Sequence, residues 1–401
     1  MNVGVIGAGA SGMMAAITAA RSGHTVTILE KNSIPGKKLL STGNGKCNFT
    51  NMNMHADYYN EEGRALFESV YSKFNIDATL DFFSSIGIVA YNKNGYIYPR
   101  SEQASSVSAC LNNELARNNI TVQYDCKIDS IKHMTQFYVY TENDCYVFDK
   151  LIIATGSNAV PKTGSDGSGY GLAIKLGHTV KKPLPALCGL KCTGADFKAL
   201  SGVRCQARVK LETLIGQSIE DVGEIQHTDY GISGIPVFQI SGVALRRLDD
   251  GQEVSIIVDY APEYSYKELV DYLEKRAEEL KDKDITMFLD GMFNNKLCNY
   301  FINEAYPARK GNVVGINSEY QIRKIVNAIK NQRFYVKGHR GFDNCQVCTG
   351  GILCSEVKES LESAIVDGLY FAGEILDING MCGGYNLQWA WSSGYVAGML
   401  L

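Results

Sequence analysis

No run of apolar residues in this chain approaches the roughly 20 needed to cross a bilayer as a helix, so a membrane-spanning protein is not expected. Charge of one sign is not in excess either. A net charge of −4, with cations and anions spread along 401 residues, leaves no basic stripe. That argues against nucleic acid as the principal partner and favours a small-molecule substrate. The first residues already read as a strand of a binding motif, which leaves no room for a cleaved leader; a cytoplasmic location is expected. The twelve cysteines are scattered and do not form a secreted disulfide framework. Two close pairs occur, Cys345-Gln-Val-Cys348 and Cys188 with Cys192, and no histidine accompanies either. Neither pair supplies four zinc ligands, so no metal is expected. Both read as buried small hydrophobes.

The length exceeds what one hydrophobic core usually supports, so two or three domains are expected. The N-terminus carries the clearest pattern. Asn2 to Ile6 is a short apolar strand that breaks into Gly7-Ala-Gly9-Ala10-Ser11-Gly12, followed by a small-residue helix and a second strand, Val26 to Leu29. Gly7 suits a tight turn, Gly9 lets the backbone approach a pyrophosphate, and Gly12 allows close helix–strand packing. The helix N-terminus offers free N–H groups and a partial positive charge to phosphates. Glu30 lies 30 − 12 = 18 residues beyond the last glycine, where a carboxylate can accept from a ribose diol. A bound dinucleotide is expected.

The segment Gly36 to Asn51 is rich in glycine, cations and amides. Gly43 and Gly45 permit close backbone approach, Lys37, Lys38 and Lys46 bring charge, and Thr42, Asn44, Asn48 and Thr50 bring hydrogen bonds. Such a loop suits a diphosphate and the polar edge of a ring system. Helices are predicted over 61–73, 78–86, 103–118, 266–281, 292–305, 319–330 and 389–400. Strands are predicted at 96–99, 120–124, 136–141, 145–148, 207–214, 237–240, 254–258, 334–337 and 346–347. The region 122–131 is where adenine commonly meets backbone, which brings in Lys127 and Ile128. Leu151 to Gly156 reads as a buried strand whose end, Ala154-Thr155-Gly156, passes close to the nucleotide. Gly164 to Gly171 looks like a second fingerprint, but its preceding strand ends eight residues earlier (164 − 156 = 8) and no strand-plus-acid follows. A separate nicotinamide domain is therefore not expected. Near the C-terminus, a strand ends in Gly373-Glu374 with Asp377 beyond. Gly383-Gly384 then opens a helix with small residues Ala390, Ser393, Gly394 and Ala397 on one face.

Together the 7–12, 36–51, 227–234, 349–351, 369–377 and 383–388 segments resemble the BaiN-like and aminoacetone-oxidase-like flavoproteins, one branch of the glutathione-reductase-type two-dinucleotide superfamily. The resemblance covers essentially the whole chain. It implies FAD, held by Gly7, Gly9, Ala10, Ser11, Gly12, Glu30, Lys31, Lys38, Leu39, Thr42, Gly43, Asn44, Lys46, Cys47 and Asn48. The later positions would be Lys127, Ile128, Ala154, Thr155, Gly156, Gly373, Glu374, Asp377, Gly384, Tyr385, Asn386 and Leu387. It implies an α/β fold with a Rossmann-like FAD-binding domain (1–187 and 336–401), an inserted β-domain (188–262) and a helical subdomain (263–335). Relatives often carry arginine where Lys37, Lys38 and Lys46 stand; lysine keeps the charge and loses the bidentate fork. The expected activity is an oxidoreductase, foremost a reductase passing hydride from flavin N5 to an activated C=C bond, with NADH or NADPH as electron donor. A flavin amine oxidase using dioxygen and a non-catalytic redox sensor stay open. Tyr230, Ser233, Tyr385 and Asn386 are expected on the substrate side, with His227 as proton donor.

Overall fold

The structure, a computed structural model, describes residues 1–212, 219–281, 287–306 and 319–401. The chain forms two compact units, Met1–Pro185 with Phe342–Leu401, and Ala186–Gly341. No helix among the described residues is long and apolar enough to cross a membrane.

The first unit is built on a five-stranded sheet ordered Leu369–Phe371, Lys150–Ile153, Asn2–Ile6, Thr25–Leu29, Thr121–Gln123. Every described pairing in it is parallel. Val3, Val5, Ile28, Leu151, Ile152 and Ile153 are buried, as expected for strands covered on both faces. Two helices pack tightly over it. Gly394 and Gly398 of the C-terminal helix (Tyr385–Gly398) stand where an added Cβ would come within 2.4 Å of Ser11 O and 2.5 Å of Ala15 O in the first helix, Ala10–Arg21. The small-residue face read from the sequence is thus a helix–helix contact.

The second unit is a closed barrel ordered Leu190–Thr193, Gly231–Gly234, Ile219–Thr228, Arg204–Leu211, Ser255–Asp259, Gln332–His339. Its described neighbours pair antiparallel, and Gln332–His339 closes it on Leu190–Thr193. Two expectations change here, and one strand is new. The β and helical portions separated at residue 262 form one unit, because the closing strand lies beyond the helices in sequence. The segment 237–240 is helical, inside Ile235–Asp249. Pro236 suits a helix start, and Val237, Ile240, Ala244 and Leu245 are buried at helical spacing, a pattern that four apolar residues cannot distinguish from a strand. The strand Ile219–Thr228 was not foreseen; its first half alternates between half-buried and exposed positions, so little hydrophobic signal marks it. The last residues of the strand expected at 207–214 lie outside the described residues.

His227 ends up inside the barrel. It is 0% exposed, and its Nε2 shares a 2.8 Å hydrogen bond with the buried Tyr260 hydroxyl. Burial pulls its pKa down from 6.5 to about 4. Protonation would add an N–H at Nδ1, which has no partner among the described residues. The expectation that His227 delivers a proton to substrate is therefore corrected: it is a neutral core group. Its contribution to stability is complete above pH 6.5 and lost as pH falls through about 4, on the order of 3 kcal/mol. Urea unfolding between pH 7 and pH 4 is expected to show falling stability, with a shallower slope for His227→Gln. An unchanged slope would refute this placement.

Candidate functional site

The glycine turn after Ile6 is set by close approach. An added Cβ at Gly12 would lie 1.9 Å from Gly7 O, which forces glycine there. At Gly9, by contrast, nothing lies within 4 Å of an added Cβ. Gly9 caps the first helix without any side-chain hydrogen bond, so the first-turn N–H groups stand behind open space. Ala10 and Ser11 open that helix. Glu30 is buried at the end of the second strand. It accepts from the N–H of Ala8 (2.7 Å) and from the N–H and Nδ2 of Asn32 (2.8 and 2.7 Å). This fixes the carboxylate beside the glycine turn, where it can take a ribose diol.

The glycine- and lysine-rich loop contributes from a second side. Leu39 is buried and its carbonyl accepts from Thr42 Oγ1 at 2.6 Å, while Asn44 and Cys47 adopt left-handed backbone at φ 54° and 57°. The loop folds back here, beside Gly43. Burial pushes the Cys47 thiol up to about 12, partly opposed by its hydrogen bond to Thr42. Lys46 pairs with Glu102 at 3.0 Å and stays half exposed. Lys38 Nζ lies 2.6 Å from Glu374 Oε2, and Ser157 Oγ donates to the same oxygen at 3.1 Å. The chain after three different sheet strands is thereby tied at one carboxylate, just past Gly373. Ser157 was missed from sequence, although it directly follows Ala154-Thr155-Gly156.

The C-terminal helix begins at Gly384, again without a side-chain cap. Its first residue, Tyr385, is 7% exposed, lies 5.1 Å from the Tyr58 ring and gives its carbonyl to Tyr59 Oη at 2.8 Å. Burial, with Tyr58 and Tyr96 acting the same way, pushes its phenol up to about 12. The phenol is protonated at neutral pH.

One expected ligand side chain is occupied within the protein, and a second is occupied at one oxygen only. Asn386 accepts from the N–H of Gly380 and donates to the carbonyls of Gly380 and Met381, so its amide shapes that turn. Asp377 is 1% exposed; its Oδ1 accepts from the Gly350 N–H at 2.8 Å and from Asn60 Nδ2 at 3.3 Å, while its Oδ2 is buried with no hydrogen-bond partner among the described residues. Lys31 pairs with Asp166 at 2.6 Å. Lys127 is exposed, Ile128 and Leu387 are half-buried, and no contact of theirs marks a ligand. In the second unit, Tyr230 and Ser233 keep partial exposure, and Arg340 lies 5.0 Å over the Tyr230 ring.

The fit to FAD rests on atoms the protein leaves unsatisfied. Asn48 Oδ1 and Thr155 Oγ1 are buried without a partner among the described residues, whereas buried polar groups are ordinarily paired. With the open space at Gly9 and two uncapped helix starts, they form a cradle of the right chemistry: N–H donors for phosphates, a carboxylate for the ribose, and side-chain groups between. No group of three or more His, Cys, Asp or Glu that could hold a metal ion occurs among the described residues.

Comparison with known proteins agrees. The family profile described as HI0933-like protein Rossmann domain matches residues 1–400. The chain is 40% identical to the 3-dehydro-bile acid delta(4,6)-reductase of Clostridium scindens, covering 99% of this chain and 98% of that one. It is 26% identical to the ribosomal RNA dihydrouridine synthase of Haemophilus influenzae, covering 98% and 97%. The 3-ketosteroid delta1-dehydrogenase structure from Sterolibacterium denitrificans superposes with a TM-score of 0.50 at 12% identity, covering 99% and 98%, a likeness of fold. The fold is of the α/β Rossmann-type FAD-binding class.

Gly9→Val separates binding from folding. The backbone there is extended, at φ −75°, and the space beside it is open. The variant is expected to keep the thermal stability of the flavin-free protein and to lose FAD uptake in a visible-absorbance titration. Normal FAD uptake would remove the diphosphate from this turn.

Proposed function

The chain belongs to the HI0933-like Rossmann family, and on that premise we propose that it is an NAD(P)H-driven flavin reductase acting on a C=C bond conjugated to a carbonyl. The observation that carries this is full-length likeness, at 40% identity, to a reductase whose name places the reduced bonds in conjugation with a 3-oxo group. FAD supplies hydride chemistry at N5 when bound. The protein's part is position and electrostatics. The first helix start and Glu30 would anchor the nucleotide, and Lys38, Ser157 and Glu374 tie three chain segments together in the same unit. The start of the C-terminal helix, which has no side-chain cap, would offer its N–H groups and positive dipole end to a negatively charged part of the cofactor.

Tyr385 is the proton donor in this reading. Its phenol carries a proton at neutral pH and would be the group to give one to the substrate, although burial makes it a weaker acid than a free tyrosine. Ser233 and Tyr230 are hydrogen-bonding groups available to a ligand.

A second reading takes the double bond of a uracil ring in RNA as the acceptor. It is favoured by the full-length likeness to ribosomal RNA dihydrouridine synthases of Haemophilus influenzae and Escherichia coli, at 26% and 27% identity. These relatives weaken the expectation drawn from charge that nucleic acid is not a partner.

The test is anaerobic. The flavin band is expected to bleach on addition of NADH or NADPH and to return on addition of a 3-oxo-Δ4 steroid. Return with unmodified ribosomal RNA alone would favour the second reading, and a band that neither nucleotide bleaches would sink both. Tyr385→Phe is expected to lower kcat roughly 100-fold at unchanged flavin content.

A further inference from the structure

A small sheet of the nucleotide-binding unit runs beside the start of the C-terminal helix. Its strands are ordered Thr50–Asn51, Tyr96–Pro99, Ala90–Lys93, and both pairings are antiparallel. Residues directly opposite in such a ladder share a face, and successive residues alternate between faces. Thr50 stands opposite Ile97, and Asn51 opposite Tyr96. The Thr50–Ile97 face looks inward: Ile97 is buried, and the Thr50 hydroxyl donates to the buried Gln388 Oε1 at 2.6 Å. Asn51 and Tyr96 belong to the other face. From there Asn51 Nδ2 donates to the Gly383 carbonyl at 2.8 Å, which ties that face to the turn opening the C-terminal helix.

Tyr96 ends at the same turn. An added Cβ on Gly383 would lie 2.8 Å from Tyr96 Cε1 and 3.3 Å from Tyr385 Cε2. Each of those carbons neighbours the one that carries the hydroxyl, so the two phenols converge on a place that glycine leaves clear. Gly383 is also left-handed, at φ 129°, a second reason for glycine there. Nearby phenols are engaged: Tyr58 Oη accepts from Asn53 Nδ2 at 2.8 Å, and Tyr59 Oη donates to the Tyr385 carbonyl. The hydroxyls of Tyr96 and Tyr385 have no hydrogen-bond partner among the described residues. Tyr96 is 40% exposed and Tyr385 7%, so one phenol is open to solvent and the other sits deeper beside it. A phenol without a protein partner can donate to a ligand oxygen.

We propose that Tyr96 is a second catalytic residue of the reductase, donating a hydrogen bond to the carbonyl oxygen of the acceptor while Tyr385 protonates its α-carbon. The inference rests on the reading of the acceptor as a C=C bond conjugated to a carbonyl. Hydride arriving at the β-carbon breaks the C=C π bond, and its electron pair moves through the α-carbon to make an enolate. The charge collects on the carbonyl oxygen, where Tyr96 Oη shares its proton in a hydrogen bond without releasing it. Transfer of the Tyr385 proton to the α-carbon restores the carbonyl, and the Tyr385 phenolate takes a proton back from water. One hydride and one proton are thereby added across the bond. The carbonyl oxygen and the α-carbon are bonded to one common carbon, so two donors meeting at one place can serve both. A donor aimed at a developing oxyanion is worth about 10²–10³ in rate.

The experiment is anaerobic stopped-flow mixing of dithionite-reduced holoprotein with a 3-oxo-Δ4 steroid, following return of the flavin band. Tyr96→Phe is expected to slow reoxidation roughly 100-fold at unchanged flavin content. Tyr91→Phe, in the outer strand of the same sheet, should leave the rate unchanged. Binding to the oxidised holoprotein, read from the shift of the flavin band, gives a signal that a purely structural role would not move. The 3-oxo group should improve affinity roughly fivefold over the 3-deoxy steroid in the wild type, and hardly at all in Tyr96→Phe. Should that variant fail to fold, the wild-type comparison of the two steroids decides. A wild-type rate in Tyr96→Phe, or a 3-oxo group that adds no affinity to the wild type, would overturn the proposal. A wild-type flavin that the steroid does not reoxidise would instead defeat the acceptor reading on which it stands.

Discussion

The first helix, Ala10–Arg21, is held so close to its neighbours that one added methyl group would strike a backbone carbonyl oxygen at Gly12, Gly394 or Gly398. Interiors this dense pass a local constraint along as position. The first helix cannot move away from the strand before it or from the C-terminal helix across it, so its uncapped N-terminus is fixed at one point above the sheet. Glu30, one strand over, is fixed to the same turn through the Ala8 N–H. The carboxylate of Glu374 then gathers Lys38 and Ser157 from two further segments. The uncapped helix start, the Glu30 carboxylate and the cluster at Glu374 thus share one rigid frame in this FAD-dependent oxidoreductase.

Much of this frame is legible in the sequence because close approach and phosphate binding demand particular residues. Gly7, Gly9 and Gly12 have few substitutes, and the strand–turn–helix–strand order around them has few other uses. The parallel strands Lys150–Ile153 and Leu369–Phe371 show as short apolar runs ending in glycine. Side-chain roles were harder to read. Asn386 carries the right chemistry for a ligand, yet the loop it occupies uses it up. A sequence names a side chain's donors and acceptors without saying which neighbour claims them. Ser157 illustrates the converse, since a lone serine after a glycine gives no signal until Glu374 arrives from more than two hundred residues away.

The barrel unit was the least legible. Its strand Ile219–Thr228 carries exposed charged and apolar residues in mixture, and its helix Ile235–Asp249 begins with an apolar run that suits a strand equally well. Closure by Gln332–His339 is a long-range event that no local pattern announces. The histidine expected as proton donor is instead a neutral core residue bonded to Tyr260. Fold-level likeness accounts for the frame, whereas the chemistry of an individual residue follows from what surrounds it.

The central claim is that the first unit is an FAD site. The most direct measurement is the flavin content of the protein purified without added cofactor and then titrated with FAD, read by visible absorbance against protein concentration. The account predicts a yellow protein that saturates at one FAD per chain, the released cofactor being FAD and not FMN. A colourless protein that takes up no FAD would contradict it.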